Sequence, residues 1–500
     1  MTSIVLALLL ASSPAQVELP SLGTNLAGIS DWTTQWPFVD AFKLARPWIS
    51  QKTGADWGKG DPLDIDENGN VRSLKPGQYA ETVIWSNGHH PTGNYTLTWK
   101  GSGEFAAESG STLRLVGPGK ANVEAASDKG IYIKLTQVDP KDPPREIRLI
   151  MPGFEETYET EPFHPVFLQR MSLYRCLRFM DWGATNNSPV KSWKERAQLG
   201  QTTYTTAKGV PLELMIDLAN EKVSMPWFCI PHQADDDFVR ETAKLIKSRL
   251  KPTLRIAVEY SNECWNQDFA QTQWCVEQGT KLNLSDNPTQ AGLRYYAQRS
   301  LEIFKIFEDV LGGKQRLFRV LSAQSANPNT GEEILDWKDT GSKCDAIAIA
   351  PYFGYGLGSP DKAEATKSAG LDGIYKSMED DIRNAVRDKM DAYAVLARRH
   401  RIKLVSYEGG QHLVAQGAAQ DDADLNRLFD EANRNQRIQD VYLHYLKSWR
   451  SAGGALFMHF TDCAPFSKYG RFGTIEYQDQ DPLTSYKNQA MIQFALFPDR

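Results

Sequence analysis

The sequence predicts an α/β protein, a (β/α)8 TIM barrel interrupted after its first βα unit by an inserted β-sandwich. From Leu173 onward, short β-rich apolar runs alternate with longer helical stretches, the pattern of a parallel βα protein. Seven such runs can be counted there, and an eighth, needed to close a barrel, is found far upstream at Gly23–Ile29. Between Lys52 and Glu161 convincing helical periodicity is absent, and short alternating strands rich in flanking Gly and Pro take its place.

In chain order, the segment GTNLAGI forms the first strand and the helix-like FVDAFKLARPWIS follows it, so residues 16–51 read as the first βα unit. Residues 52–161 read as the inserted sandwich, with strands at Glu81–Trp85, Tyr95–Lys100, Leu113–Val116, Ile131–Gln137 and Ile147–Met151. The barrel resumes over 162–500, with strands at Tyr174–Met180, Pro226–Pro231, Leu254–Tyr260, Leu317–Ser322, Ala346–Pro351, Lys403–Tyr407 and Ala455–Phe460. The helical stretches Asp235–Leu250 and Leu293–Leu311 carry apolar residues at three- and four-residue spacing, as an outer ring requires. The run Asp235-Asp236-Asp237 stands just before Phe238-Val239, where carboxylates complement unpaired N–H groups, and reads as a helix cap rather than a metal cluster.

A chain of 500 residues with 41% hydrophobic content has ample material for a large core. Its 56 Lys+Arg against 62 Asp+Glu, with no basic run to follow a phosphate backbone, argues against nucleic acid as a partner. The apolar run Ile4–Ala11 followed by Ser13-Pro14-Ala15 reads as a signal peptide over residues 1–15 and predicts a secreted or periplasmic protein. No later stretch reaches the roughly 18 to 20 apolar residues that a membrane span requires. The six cysteines are too few for a disulfide scaffold and form no C-x-x-C, so a structural zinc is not expected.

Residues at the C-terminal ends of barrel strands lie at one face, where chemistry concentrates. The segment RIAVEYSNECWN runs from the fourth strand into a polar tip containing Asn262 and Glu263; KLVSYEGG carries Glu408 at the end of the seventh. A carboxyl fully buried and unpaired in such an apolar run costs several kcal/mol, whereas at the strand end it projects into the mouth. Either glutamate alone would pass as a helix cap or surface group. Together they have the form of a carboxylate pair for glycoside hydrolysis, one acid and one nucleophile.

An Asn-Glu pair ending strand four and a Glu ending strand seven resembles the signature of clan A glycoside hydrolases, typified by family 5. The resemblance covers the barrel, roughly residues 20–50 and 165–490, and not the sandwich. It implies a retaining, double-displacement β-glycanase needing no cofactor and no metal, with Glu263 as acid/base, Glu408 as nucleophile and Asn262 on the sugar 2-hydroxyl. It also implies that Arg178, at the end of strand two, keeps the nucleophile ionised, that His232 lines the site, and that Tyr352 donates to the nucleophile. Two positions depart from the pattern. Strand eight ends in Met-His459-Phe-Thr-Asp without the usual Trp, and Ala350 stands two residues before Tyr352 where family 5 commonly has His.

Trp32, Trp36, Trp182, Trp265 and Tyr355 follow strand ends, and with His459 complete the candidate substrate-binding set; Trp227, inside strand three, reads as core. Several stacking rings favour a β-linked oligo- or polysaccharide as partner. The competing reading is a non-catalytic carbohydrate-binding protein, against which only the two glutamates argue. A metal-dependent barrel hydrolase would want a His-x-His, and the chain has none.

Overall fold

The structure is a computed structural model that describes residues 19–126 and 128–496. The segment read as a signal peptide lies outside the described residues. Strand β1 (Leu22–Asn25) opens the barrel. Ten strands follow before the barrel continues: β2 (Ile49–Lys52), β3 (Asp64–Ile65), β4 (Val71–Ser73), β5 (Gln78–Ile84), β6 (Gly93–Lys100), β7 (Gly103–Glu108), β8 (Thr112–Gly117), β9 (Lys120–Ala125), β10 (Ile131–Val138) and β11 (Arg145–Ile150). Then come β12 (Cys176–Arg178), β13 (Met225–Ile230), β14 (Ile256–Tyr260), β15 (Leu317–Ser322), β16 (Ala346–Ile349), β17 (Lys403–Ser406) and β18 (Gly454–His459).

Strands β1 and β12–β18 close a parallel barrel, sealed where Leu22–Thr24 of β1 pair with Phe457–His459 of β18. All eight strands read from the sequence are present, because strands buried on both faces leave continuous apolar runs that the eye can count. Side chains alternate along each strand. Cys176, Met225, Trp227, Ala257, Phe318, Ala346, Val405 and Met458 fill the interior, while Leu177, Phe228, Val258 and Leu404 meet the helices outside. Gly23 is required in this packing, since a Cβ there would stand 2.3 Å from the Met458 sulfur and 2.7 Å from the Cys176 carbonyl oxygen.

The ten intervening strands form two four-stranded antiparallel sheets, ordered β2-β5-β10-β7 and β11-β6-β9-β8, plus the small β3-β4 pair. Trp99 of β6 meets Phe105 of β7 across the sandwich, with ring centroids 4.6 Å apart. Ile131, Ile133, Leu135, Leu97 and Val123 complete its interior, and these side chains belong to the same apolar cluster as the barrel's outer layer.

The sequence reading of 38–50 as a helix is corrected. Only a single 3-10 turn, Ala41–Leu44, forms there, capped by the Asp40 carboxylate. Pro47 stops it, and the chain becomes strand β2, paired with β5, three residues before the predicted start of the sandwich. The helix that packs after strand one is Pro165–Met171, reached only after the sandwich. Asp235 caps the helix Asp236–Arg249 by accepting from the Phe238 N–H. All six cysteines are free thiols. Among the described residues no helix is long and apolar enough to cross a membrane.

Candidate active site

The upper layer of the barrel interior is polar, and Arg178 is its centre. Nε and Nη2 donate to Oε2 of Glu259 at 3.1 and 2.9 Å; Nη1 donates to Asn25 Oδ1 at 3.0 Å and to Glu408 Oε1 at 3.1 Å; Nη2 also reaches Asn262 Oδ1 at 2.9 Å. Neither Arg178 nor Glu259 is accessible to water. Trp227 and Tyr407 place their rings 5.5 and 5.2 Å from the guanidinium, and the Trp227 indole donates to Glu259 at 2.9 Å. Trp227 is thus core, and it also helps hold the ion pair. A fully buried pair of this kind is costly to break, at about 3 to 5 kcal/mol when one partner is removed.

Above this layer lie the two glutamates. Glu408 follows β17 and accepts from Arg178 through Oε1 and from the Tyr352 hydroxyl through Oε2, at 3.0 Å. Glu263 follows β14 and accepts from the Tyr407 hydroxyl at 2.8 Å and from Asn266 Nδ2 at 2.8 Å. Ser261 and Glu263 both have positive φ, 58° and 43°, so the chain turns sharply on either side of Asn262. Both ends of the Asn262 amide are engaged: Oδ1 accepts from Arg178, and Nδ2 donates to Asn186 Oδ1 at 3.0 Å. Gln271 supports this arm, donating to both Asn186 Oδ1 and the Asn262 carbonyl.

Burial raises both carboxyls. Glu408 is pushed up to about 8 by loss of water, with Glu263 and Asp181 pushing further and Arg178 and Tyr352 opposing. Glu263 is raised by the same desolvation, against the hydrogen bonds from Asn266 and Tyr407. Arg178 opposes that rise at Glu408, the direction expected of it. The guanidinium does lower Glu408, yet it is shared with Glu259, and desolvation outweighs what remains. Tyr352 and Tyr407 are driven well above the ordinary phenol range by burial beside these carboxyls, and both stand as protonated donors.

The other predicted site residues divide. Trp32 is 58% exposed and walls a cavity of about 510 Å³ at the mouth, together with Asp181, Phe460 and Phe472. Tyr355 is exposed and packs at 4.8 Å on His412, which meets Tyr352 edge-on at 5.5 Å, so it lies at the rim. Trp265 is half-buried beside Glu263 against the barrel interior. Trp36 and Trp182 are corrected to core. Trp36 donates to the His89 carbonyl oxygen at 2.7 Å beneath the sandwich, and Trp182 is enclosed by Phe38, Phe167 and Phe179. His459 is likewise structural, fully buried between the Thr461 carbonyl and the Tyr442 hydroxyl, and its imidazole is depressed to about 3 by desolvation. His232 is buried against Trp274, held to about 4 by desolvation, and touches neither glutamate.

Sequence reasoning missed Glu259, Tyr407, Asn25 and Asp181. Glu259 could have been found, since a charge in the middle of the apolar strand IAVEY demands a buried partner. Tyr407 carries no such signal.

No family model matches the chain, and no curated protein matches it. Solved structures similar to part of it include ZgEngAGH5_4 wild type, at 14% identity over 65% of this chain and 87% of that one, with a TM-score of 0.38. A 4-O-α-L-rhamnosyl-β-D-glucuronidase from Fusarium oxysporum 12S shares 10% identity over 68% of this chain and 67% of its own, with a TM-score of 0.40. A GH5-4 broad specificity endoglucanase from Clostridium acetobutylicum shares 12% over 65% and 88%, with a TM-score of 0.37.

Proposed function

We propose that this chain is a retaining glycoside hydrolase of the clan A type, cleaving β-linked oligo- or polysaccharide with Glu408 as nucleophile and Glu263 as general acid/base. The observation that carries the reading is one pairing. Two carboxyls, half-buried Glu263 and buried Glu408, stand at the tips of strands four and seven of a closed barrel, each held by its own tyrosine, and the charge of Glu263 acts on Glu408. Of the two, only Glu408 touches a cation, so when the pair holds a single proton that proton is favoured on Glu263. This is the protonation state that double displacement needs.

In the first step a Glu408 oxygen attacks the anomeric carbon while Glu263 gives its proton to the departing glycosidic oxygen, leaving a glycosyl ester on Glu408. In the second, Glu263 takes a proton from water, which attacks the same carbon and releases Glu408. Arg178 and Tyr352 hold Glu408 in line throughout, and Asn262, clamped between Arg178 and Asn186, is fixed beside the acid.

The test is product configuration, read by proton NMR. Wild-type protein should release the β-anomer first from a β-linked substrate. Glu408→Ala should abolish hydrolysis and, with azide, yield only the α-azide. Glu263→Ala should still consume dinitrophenyl glycosides, and azide should then accelerate turnover and yield the β-azide. An α-anomer from the wild type, or the reverse azide pattern, would refute the assignment. Export is part of the same reading and rests on the Ile4–Ala11 run; N-terminal sequencing of protein recovered outside the cytoplasm should begin after about residue 15.

A further inference from the structure

Arg46 stands where the barrel mouth meets the inserted sheets. Its guanidinium grips Asp31 with two bonds, Nε to Oδ1 at 3.0 Å and Nη2 to Oδ2 at 2.6 Å, and lies 5.9 Å from the centre of the Trp57 ring. It borders three hollows, one of about 370 Å³ walled by Phe42, Trp48 and Thr203, and two others. One of those two is the 510 Å³ cavity at the mouth, walled by Trp32 and by Asp181, whose charge acts on Glu408. The other, of about 320 Å³, lies on the sheet β2-β5-β10-β7, walled by Trp57, Tyr132, Glu81 and Glu108.

The joint between the hollows is firm. The Ser86 N–H donates to the Asp31 carbonyl at 2.6 Å, and Asn87 Nδ2 donates to the Trp32 carbonyl at 3.1 Å, which ties the loop after β1 to the loop after β5. On either side of it stands a tryptophan with more than half its surface in water, Trp32 at 58% and Trp57 at 54%. Large indoles are normally buried, as Trp85, Trp182, Trp227 and Trp449 are here. Glu81, which walls the same hollow as Trp57, carries a buried oxygen, Oε1, without a hydrogen-bond partner.

We infer that the substrate cleft does not end at the barrel but continues over Arg46 onto the sheet, and that its occupant is a single long, neutral, β-linked polysaccharide chain. Trp32 and Trp57 offer flat apolar faces to pyranose rings, and Glu81 and Glu108 offer acceptors to their hydroxyls. Along the path the carboxyls Asp31, Asp181 and Glu108 stand against the cations Arg46 and Lys134, and burial beside Glu108 pushes Glu81 up to about 7, so the path holds no cationic excess to bind an anionic polymer. The inference rests on the hydrolase reading for its barrel end only.

The experiment uses the full chain in native gels cast with barley β-glucan, konjac glucomannan, birchwood xylan or carboxymethyl cellulose, alongside turnover of aryl β-disaccharides. Trp57→Ala and Tyr132→Ala should weaken retardation by the bound neutral polymer by about tenfold, as loss of a stacking ring does, and leave aryl disaccharide turnover unchanged. Trp57→Phe should recover most of the binding, and the carboxymethylated polymer should retard the protein least. Glu408→Gln should do the opposite, keeping retardation and losing turnover. The cleft is refuted if no neutral polymer retards the wild type, if Trp57→Ala binds polymer as the wild type does, or if its loss is equal on short substrates. Retardation of a wild type that cleaves neither polymer nor disaccharide would sink the hydrolase reading and leave the cleft standing.

Discussion

The hydroxyl of Tyr407, at the end of strand seven, donates a 2.8 Å hydrogen bond to Oε1 of Glu263, at the tip of strand four. The residue next to Tyr407 in sequence is Glu408, so one dipeptide supplies a carboxyl to the site and positions the other. The bond favours the ionised form of Glu263. In Tyr407→Phe that support is gone and Glu263 holds its proton to higher pH. The basic limb of the kcat/KM profile should therefore move upward by about one unit, since a hydrogen bond to a charged group contributes about 1.5 to 3 kcal/mol and part is recovered from Asn266. An unmoved basic limb would show that Tyr407 only fills space.

Because burial raises both carboxyls, with Glu408 at about 8, the activity profile should be a bell displaced toward neutral pH. Its limbs belong to the pair: loss of the first proton creates the active form and loss of the second ends it. Arg178 lowers Glu408, so Arg178→Ala should move the acidic limb upward and reduce turnover to near nothing at neutral pH. The same variant leaves Glu259 buried without a cation and should lose about 3 to 5 kcal/mol in urea unfolding. Glu259→Gln, which frees Arg178 for Glu408, should move the acidic limb downward. A limb that moves the same way in both variants contradicts the sharing of Arg178.

Trp32 and Trp182 were indistinguishable in sequence and should behave as opposites. Trp182→Ala empties a site closed by three aromatic rings and should cost about 3 to 5 kcal/mol of stability. Trp32→Ala should leave the unfolding midpoint nearly unchanged and raise KM for oligosaccharides several-fold. Equal stability losses would mean that Trp32 packs as core.

Lys487 is buried, donates from Nζ to the Arg471 carbonyl at 2.6 Å, and has its ammonium lowered to about 7 by desolvation. The unfolded chain keeps that proton up to about pH 10.4. Between the two values the unfolded state binds more protons, so this lysine makes stability rise with pH, by at most about 1.4 kcal/mol per unit. Lys487→Met removes the slope. Its stability advantage over the wild type, from urea midpoints, should be larger at pH 7.5 than at pH 9.5; a constant gap would mean that Lys487 stays charged.

The sequence by itself determined the barrel and the ends of its strands. Eight apolar runs and the helices between them are local patterns, written by burial on both faces of each strand, and a carboxyl that ends such a run is visible without a fold. The tertiary structure decided which rings face water and what each charge meets. Trp36 and Trp182 follow strand ends as Trp32 does, yet the inserted sheets and the helix Pro165–Met171 close over them. Arg178 touches Glu259, Glu408, Asn25 and Asn262 from three other strands or their tips, a convergence set by the closure of the barrel. The electrostatic sign at Glu408 depends on that convergence. Desolvation and a cation shared between two carboxyls are properties of the packed interior, and neither has a counterpart in the spacing of residues along the chain.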